Sequence, residues 1–286
     1  MSSVNLSINE MKTPITYYGG KQKLASVIIE MIPKHKVYCE PFFGGGAVFF
    51  AKMPSFLECI NDINEVLMTF YKVCMCEESF LKLQQLVVTT LHSESMWRRA
   101  KHIYHHPQGH DDIEIAWAVW LSTNMSFSGS PNGGWKWDNG TAGAHTGNTL
   151  NNYRNEFTTK LFERLRFTQI SCRDALEVIK QRDSDQTFYY LDPPYPGCCQ
   201  QHYKGYDTND LKNLLELLET IEGKFLLSNY MSPMLDRFIK ANKWNCKIIE
   251  LPLQVSNFNN CRGNRRKQEV LVYNYKIQPT LFDDYE

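Results

Sequence analysis

The chain has 286 residues, 43% of them hydrophobic and 22% charged, the proportions of a globular protein that buries a core and not of a disordered tail. Its 31 basic and 31 acidic side chains cancel, so a polyanionic partner has to be met by a local basic patch. No run of about 18 apolar residues occurs, and Met1-Ser2-Ser3-Val4-Asn5 does not lead from basic into apolar sequence, so no membrane span or signal peptide is expected. The nine cysteines include Cys198-Cys199 and the near pair Cys74 and Cys76 but no Cys-x-x-Cys. That pattern suits reduced thiols, a cytoplasmic protein and no metal site.

In chain order, Thr16-Tyr17-Tyr18-Gly19-Gly20-Lys21 precedes an amphipathic helical stretch at 24–32 that Pro33 ends. Val37-Tyr38-Cys39-Glu40 reads as a strand, Pro41-Phe42-Phe43-Gly44-Gly45-Gly46 as a turn, and 47–52 as the opening of a helix. A glycine-rich turn between strand and helix lets the backbone approach a ligand closely. The next strand, Leu57-Glu58-Cys59-Ile60, ends in Asn61-Asp62. Asp62 lies 18 residues past Gly44, near the spacing of a carboxylate that bonds ribose hydroxyls. The glycines do not space as Gly-x-Gly-x-x-Gly, which favours an adenosine ligand smaller than a dinucleotide.

Residues 64–90, 94–106 and 112–125 read as helices. A polar, Gly-rich and aromatic segment follows at 126–153, including Ser128-Gly129-Ser130-Pro131-Asn132-Gly133-Gly134-Trp135-Lys136-Trp137. His102, His105, His106 and His110 crowd together beside Asp111 and Asp112, but Pro107 and Gly109 deny them a common helical face. Phe167 to Ile170 reads as a strand, and Asp174 can cap a helix over 175–181.

The apolar run Phe188-Tyr189-Tyr190-Leu191 leads into Asp192-Pro193-Pro194-Tyr195, the most informative tetrapeptide of the chain. An exocyclic amine is a poor nucleophile because its lone pair is delocalised into the ring. A carboxylate at Asp192 and a carbonyl at Pro193 can accept from the NH2 group, localising the lone pair and stabilising the positive charge that grows during methyl transfer. The prolines fix the turn, and Tyr195 offers a flat face to an unstacked base. Downstream, 210–222 reads as a packing helix, with strands at 224–230 and 269–275. Strands alternating with helices point to a doubly wound α/β sheet.

Taken in order, Tyr-Gly-Gly-Lys, Glu-Pro-Phe-x-Gly-x-Gly, Asn-Asp-Ile-Asn and Asp-Pro-Pro-Tyr resemble the Dam-like group of DNA adenine N6-methyltransferases. The resemblance covers residues 13–72 and 160–275 and implies a Rossmann-like methyltransferase sheet, mostly parallel, with a reversed strand near the carboxyl terminus. It also implies an S-adenosylmethionine-dependent enzyme that transfers a methyl group to N6 of a flipped-out adenine in duplex DNA. Cofactor contacts would fall to Tyr17, Lys21, Phe42, Gly44, Gly46, Asp62, Asp174 and Asp192, and catalysis to Asp192, Pro193, Pro194 and Tyr195. Tyr17 stands where many relatives carry tryptophan. The family places target recognition between these motifs. The expected division is therefore a catalytic domain at 1–72 and 161–286 with an inserted, mostly helical recognition domain at 73–160.

Asn124, Ser128, Asn132 and Lys136 are the candidate base or phosphate contacts of that domain. Arg262, Arg265 and Arg266 follow an Asn-rich loop where the family contacts phosphates, and Arg98, Arg99 and Lys101 form a second basic cluster. Asn124-Met125-Ser126-Phe127-Ser128-Gly129 differs from the Asn-Gly-Phe-Asn-Gly-like segment of GATC-specific relatives, which argues against that target. Other acceptors for the same tetrapeptide are cytosine N4 or an RNA amine, and a catalytically silent DNA-binding module is the reading of a different class. The tail resembles the short Gln-x-x-Leu-Phe peptides that dock bacterial proteins onto the sliding clamp, through Gln278, Leu281 and Phe282; a tail that covers the protein's own surface is the alternative.

Overall fold

The computed structural model describes residues 11–140, 145–196, 206–250 and 268–277. The chain begins with α1 (Ala25–Met31), β1 (Val37–Glu40), α2 (Ala47–Ala51) and β2 (Leu57–Asn61). The helices α3 (Glu65–Met75), α4 (Glu77–Thr89), α5 (Glu94–His105) and α6 (Asp112–Asn124) come next, and then a 3-10 turn at Phe127–Gly129. After α7 (Thr146–Glu156) and α8 (Thr159–Leu165), β3 (Gln169–Ser171), α9 (Ala175–Arg182) and β4 (Thr187–Leu191) return to the sheet. The chain closes with α10 (Thr208–Leu218), β5 (Lys224–Tyr230), α11 (Pro233–Asn242), β6 (Asn245–Glu250) and β7 (Gln268–Tyr273).

The strands form a seven-stranded sheet in the order β3-β2-β1-β4-β5-β7-β6. The pairs β2/β3, β1/β4 and β4/β5 are parallel, whereas β7 runs antiparallel to both β5 and β6. This is the mostly parallel α/β sheet with a reversed late strand that the motifs imply. The order of strands turns at β1 and β4, and the crevice beyond the carboxyl ends of strands at such a point is where open α/β sheets bind ligands. Every residue of β4 is buried, which is why Thr-Phe-Tyr-Tyr-Leu shows no alternation.

The described residues fall into two compact units, one within Met1–Ile32 and Glu40–Val178, the other within Pro33–Cys39 and Ile179–Glu286. In the first, α6 is buried almost throughout, and α3, α4 and α5 pack on it. The single long helix expected at 64–90 is two, because Cys76 takes an extended conformation between α3 and α4. Aromatic rings fill the interior: Phe80 stacks on Phe157 at 5.3 Å, and Trp120 meets Phe157 edge-on at 6.3 Å.

A buried ion cluster joins α2 to β2 and α8. Glu58 accepts from Lys52 Nζ and from both terminal nitrogens of Arg164, whose guanidinium lies 3.6 Å from the centre of the Phe49 ring. Burial pushes the Lys52 ammonium down to about 8. For Glu58 burial acts upward, but the bonds from Arg164 and Lys52 outweigh it and hold the carboxyl below its ordinary range.

In the second unit, α10 connects β4 to β5 in the chain and buries Leu211, Leu214, Leu215 and Leu218 on one face. A capping box starts that helix, with the Asp207 side chain accepting from Asp210 N–H and Asp210 accepting from Asp207 N–H. Ser232 caps α11 through Leu235 N–H, with Pro233 at its first position. Arg262, Arg265, Arg266, Gln278, Leu281 and Phe282 lie outside the described residues, as do Cys198 and Cys199. Among the described residues no helix is long and apolar enough to cross a membrane, and no group of three or more His, Cys, Asp or Glu could hold a metal ion.

Candidate active site

The glycine-rich turn is pinned through both backbone groups of Gly44. Gly44 N–H donates to Asp62 Oδ2 at 2.9 Å, and its carbonyl accepts from Tyr71 Oη at 2.9 Å. Asp62 Oδ1 accepts from Asn64 N–H at 2.9 Å. Burial raises the Asp62 pKa, and these N–H donors oppose the rise. Asn61, immediately before it, is 1% exposed and uses its whole amide: Nδ2 donates to the carbonyls of Pro41 and Arg173, while Oδ1 accepts from Ser171 Oγ and Arg173 N–H. The turn after β1 and the segment after β3 are thereby fixed to the end of β2.

Two glycines of the turn adopt left-handed backbone, Gly44 at φ +48° and Gly46 at φ +66°. A Cβ on Gly46 would stand 2.5 Å from the Phe43 ring, itself packed edge-on against Phe49 and Tyr71. A Cβ on Gly44 would come within 3.2 Å of the Tyr17 ring. Tyr17 is buried against this turn and stacks on Tyr18 at 4.7 Å. Lys21 is mostly buried and donates from Nζ to Gly19 O at 3.2 Å. Thus Tyr17, Gly44 and Asp62 meet at one turn, which also holds Gly46 and a half-buried Phe42, while Lys21 is tied to the Gly19 carbonyl after Tyr17. Asp174 is exposed and caps α9 through Leu176 N–H and Glu177 N–H, so its structural role is realised.

The tetrapeptide leaves the end of β4 with Pro193 buried and Asp192, Pro194 and Tyr195 half-buried. Tyr195 Oη lies 3.2 Å from Asp192 Oδ1 and 2.9 Å from Oε1 of Glu269, a residue 4% exposed on β7. Its ring meets Tyr230 edge-on at 4.5 Å. Burial, then the charges of Asp192 and Glu269, raise the Tyr195 pKa, which keeps the phenol protonated. Such a turn presents a carboxylate and a fixed aromatic ring together, the pairing an exocyclic amine requires.

Residues 17–256 match the sequence profile of the D12 class N6 adenine-specific DNA methyltransferases. The chain belongs to this family. It is a site-specific DNA methyltransferase acting on adenine N6. It is 28% identical to type II methyltransferase M.MjaIII of Methanocaldococcus jannaschii over 93% of this chain and 100% of that one. It is 24% identical to type II methyltransferase M1.LlaDCHI of Lactococcus lactis subsp. cremoris over 90% and 93% of the two chains. Modification methylase StsI of Streptococcus sanguinis is 22% identical over 94% of this chain, which spans 43% of that protein.

In this methyltransferase the loop after α6 is a short two-stranded hairpin. Phe127 N–H donates to Gly134 O, Lys136 N–H to Met125 O, and Ser126 bridges Trp135. Ser128 is exposed at its tip with φ +62°, left-handed backbone that a non-glycine residue adopts at a cost of about 1–2 kcal/mol. Asn132 is exposed as well, and Lys136 is half-buried.

Asn124 corrects the picture of a base reader: it is 1% exposed, its Oδ1 accepts Thr16 N–H at 2.8 Å, and its Nδ2 donates to Pro14 O at 3.2 Å. Gly129 sits where a Cβ would be 2.7 Å from Thr16 Cγ2, and Thr16 Oγ1 donates to Tyr153 Oη at 3.0 Å. Thr16, the neighbour of Tyr17, is therefore gripped by the end of α6, the loop after it and α7. The basic cluster on α5 is likewise committed within the chain. Arg98 pairs with Glu94, Arg99 with Glu114, and Lys101 holds the carbonyls of Asn132 and Gly133.

Tyr71, Asn61 and Glu269 contact the candidate site residues or their backbone, and motif reading did not single them out. Asn61 stood inside a recognised motif and was legible as a polar residue ending a buried strand. The place of Tyr71 depends on helix packing and that of Glu269 on strand register, and neither has a local signature.

Proposed function

We propose that the enzyme transfers a methyl group from S-adenosylmethionine to N6 of an adenine flipped out of duplex DNA, with Asp192, Pro193, Pro194 and Tyr195 as the catalytic turn. The observation that carries this reading is the approach of Tyr195 Oη to within 3.2 Å of Asp192 Oδ1 at the end of a fully buried strand. The first unit supplies a cradle that suits the donor. Its left-handed glycines leave space that any side chain would fill, Tyr17 lines it, and Asp62 retains a lone pair for a ribose hydroxyl beyond the N–H groups of Gly44, Ile63 and Asn64 that it serves. When bound, S-adenosylmethionine supplies an electrophilic methyl on a sulfonium sulfur, which departs as a neutral thioether.

The chain's own residues do the rest. Tyr195 stacks on the extruded base, and Asp192 accepts from the N6–H, sharpening the lone pair and taking the proton the amine gives up. The recognition segment is 73–160, with Ser128 and Asn132 at an exposed loop tip able to reach base edges or phosphates. The names of the relatives support a modification enzyme of the restriction-modification kind.

The test is transfer of labelled methyl from S-adenosylmethionine to unmethylated duplex DNA, followed by base analysis, with Asp192→Ala alongside. N6-methyladenine formed by the intact protein alone supports the assignment, and sequencing the product yields the target. Equal labelling by Asp192→Ala would overturn the catalytic turn, and labelling only of RNA would overturn the acceptor.

A further inference from the structure

We infer that Glu269 is a positioning residue for methyl transfer, which accepts the Tyr195 hydroxyl proton and so spares the Asp192 carboxylate for the adenine amine. The inference rests on the reading of Asp192 and Tyr195 given above. Tyr195 Oη stands 2.9 Å from Glu269 Oε1 and 3.2 Å from Asp192 Oδ1. A phenol has one proton and can serve one carboxylate fully. Donated to Asp192, that proton would draw off the negative charge that has to pull on N6–H. Donated along the shorter contact to Glu269, it leaves the charge of Asp192 to the base.

The register of the sheet makes this arrangement. In the antiparallel β5/β7 pair, Tyr230 faces Glu269, and the Tyr230 ring meets Tyr195 edge-on at 4.5 Å. Tyr195 is thus held at two points, its ring by β5 and its hydroxyl by β7. Glu269 is 4% exposed, and burying a carboxylate is costly unless donors meet it. Here the carboxylate lies one hydrogen bond from the catalytic turn, and Tyr195 Oη is a donor that meets it. Tyr195 stays protonated in this setting because burial and two carboxylates all disfavour the phenolate.

The experiment is a double-mutant cycle on the full chain, with saturating S-adenosylmethionine and unmethylated duplex DNA, reading kcat and KM separately. Glu269→Ala should lower kcat about ten- to hundredfold, the worth of one hydrogen bond to a charged group, with KM for DNA little moved. Glu269→Gln, whose amide oxygen still accepts the phenol proton, should stay close to wild type. Once Tyr195→Phe has removed the competing proton, Glu269→Ala should cost nothing further. Additive losses, or Glu269→Gln as impaired as Glu269→Ala, would overturn the inference. If Glu269→Ala fails to fold by circular dichroism, Glu269→Met, close in shape, takes its place in the cycle. Asp192→Ala separates the two levels. Methylation retained in that variant sinks the underlying assignment, whereas its loss beside additive Glu269 and Tyr195 effects sinks only the role of Glu269.

Discussion

The glycine-rich turn separates two effects that a single alanine substitution usually merges. Gly46 and Gly44 both have positive φ, so alanine at either costs about 1–2 kcal/mol of backbone strain. At Gly46 the new Cβ also meets the Phe43 ring at 2.5, 2.9 and 3.1 Å. Phe43 is 2% exposed and wedged between Phe49, Phe50 and Tyr71, so it cannot swing away. Overpacking of that kind adds about 1–3 kcal/mol, for a total loss near 2–5 kcal/mol. At Gly44 the contacts are 3.2 and 3.3 Å to the Tyr17 ring, which lines the proposed donor cradle, so the displaced group belongs to the proposed binding site.

Gly46→Ala should therefore lower the urea midpoint by roughly 1 M, for a denaturant slope near ~3 kcal/mol per M. Gly44→Ala should cost less stability but weaken donor binding about tenfold, for ~1.4 kcal/mol of lost complementarity. Urea unfolding followed by tryptophan fluorescence and calorimetric titration with S-adenosylmethionine measure the two. Gly46→Ala unfolding at the wild-type midpoint, or Gly44→Ala binding donor as wild type, would refute the reasoning.

Glu58→Gln should destabilise the fold by about 3–5 kcal/mol at pH 7, because it leaves Lys52 and Arg164 buried without their counter-charge. The folded Glu58 pKa is depressed, so its contribution is present above the unfolded value and lost as pH falls through the folded one. The acid limb of a stability profile should be shallower in the variant, and identical limbs would count against the cluster. Tyr71→Phe should cost about 1 kcal/mol and loosen donor binding by freeing Gly44 O, with calorimetry as the check. Asn124→Ala removes both ties to Pro14 and Thr16, so S-adenosylmethionine affinity should fall although the residue lies outside the cradle; unchanged affinity would argue that the ties are idle.

Much of the sheet was readable before folding, because strand and turn chemistry is local. β1 and β5 span the residues that their sequence marks as strands, Val37–Glu40 and Lys224–Tyr230, and Asp192-Pro193-Pro194-Tyr195 needs no distant partner to be recognised. β6 escaped because it is an edge strand, nearly all exposed, with no face to impose a pattern. α7 escaped for a related reason: it buries only Thr146 and Leu150, so its polar sequence lacks helical periodicity. Asn124 was legible as polar but not as buried. It lies three residues past the apolar run Ile115-Ala116-Trp117-Ala118-Val119-Trp120-Leu121, at the end of the same buried helix, a position that suits an internal amide better than a DNA contact. Glu269 was invisible, since its contact with Tyr195 spans 74 residues and depends on the β5/β7 register.

The grip on Thr16 bears on how specificity is exchanged among such enzymes. The segment that sequence comparison would cut out as a cassette is sewn to residues 14–16 by Asn124, Gly129 and Tyr153. A chimera that imports a foreign cassette at its sequence borders severs those stitches beside Tyr17. Such a graft would lose its hold on the donor together with its old target, unless the short strip before Tyr17 travels with the cassette.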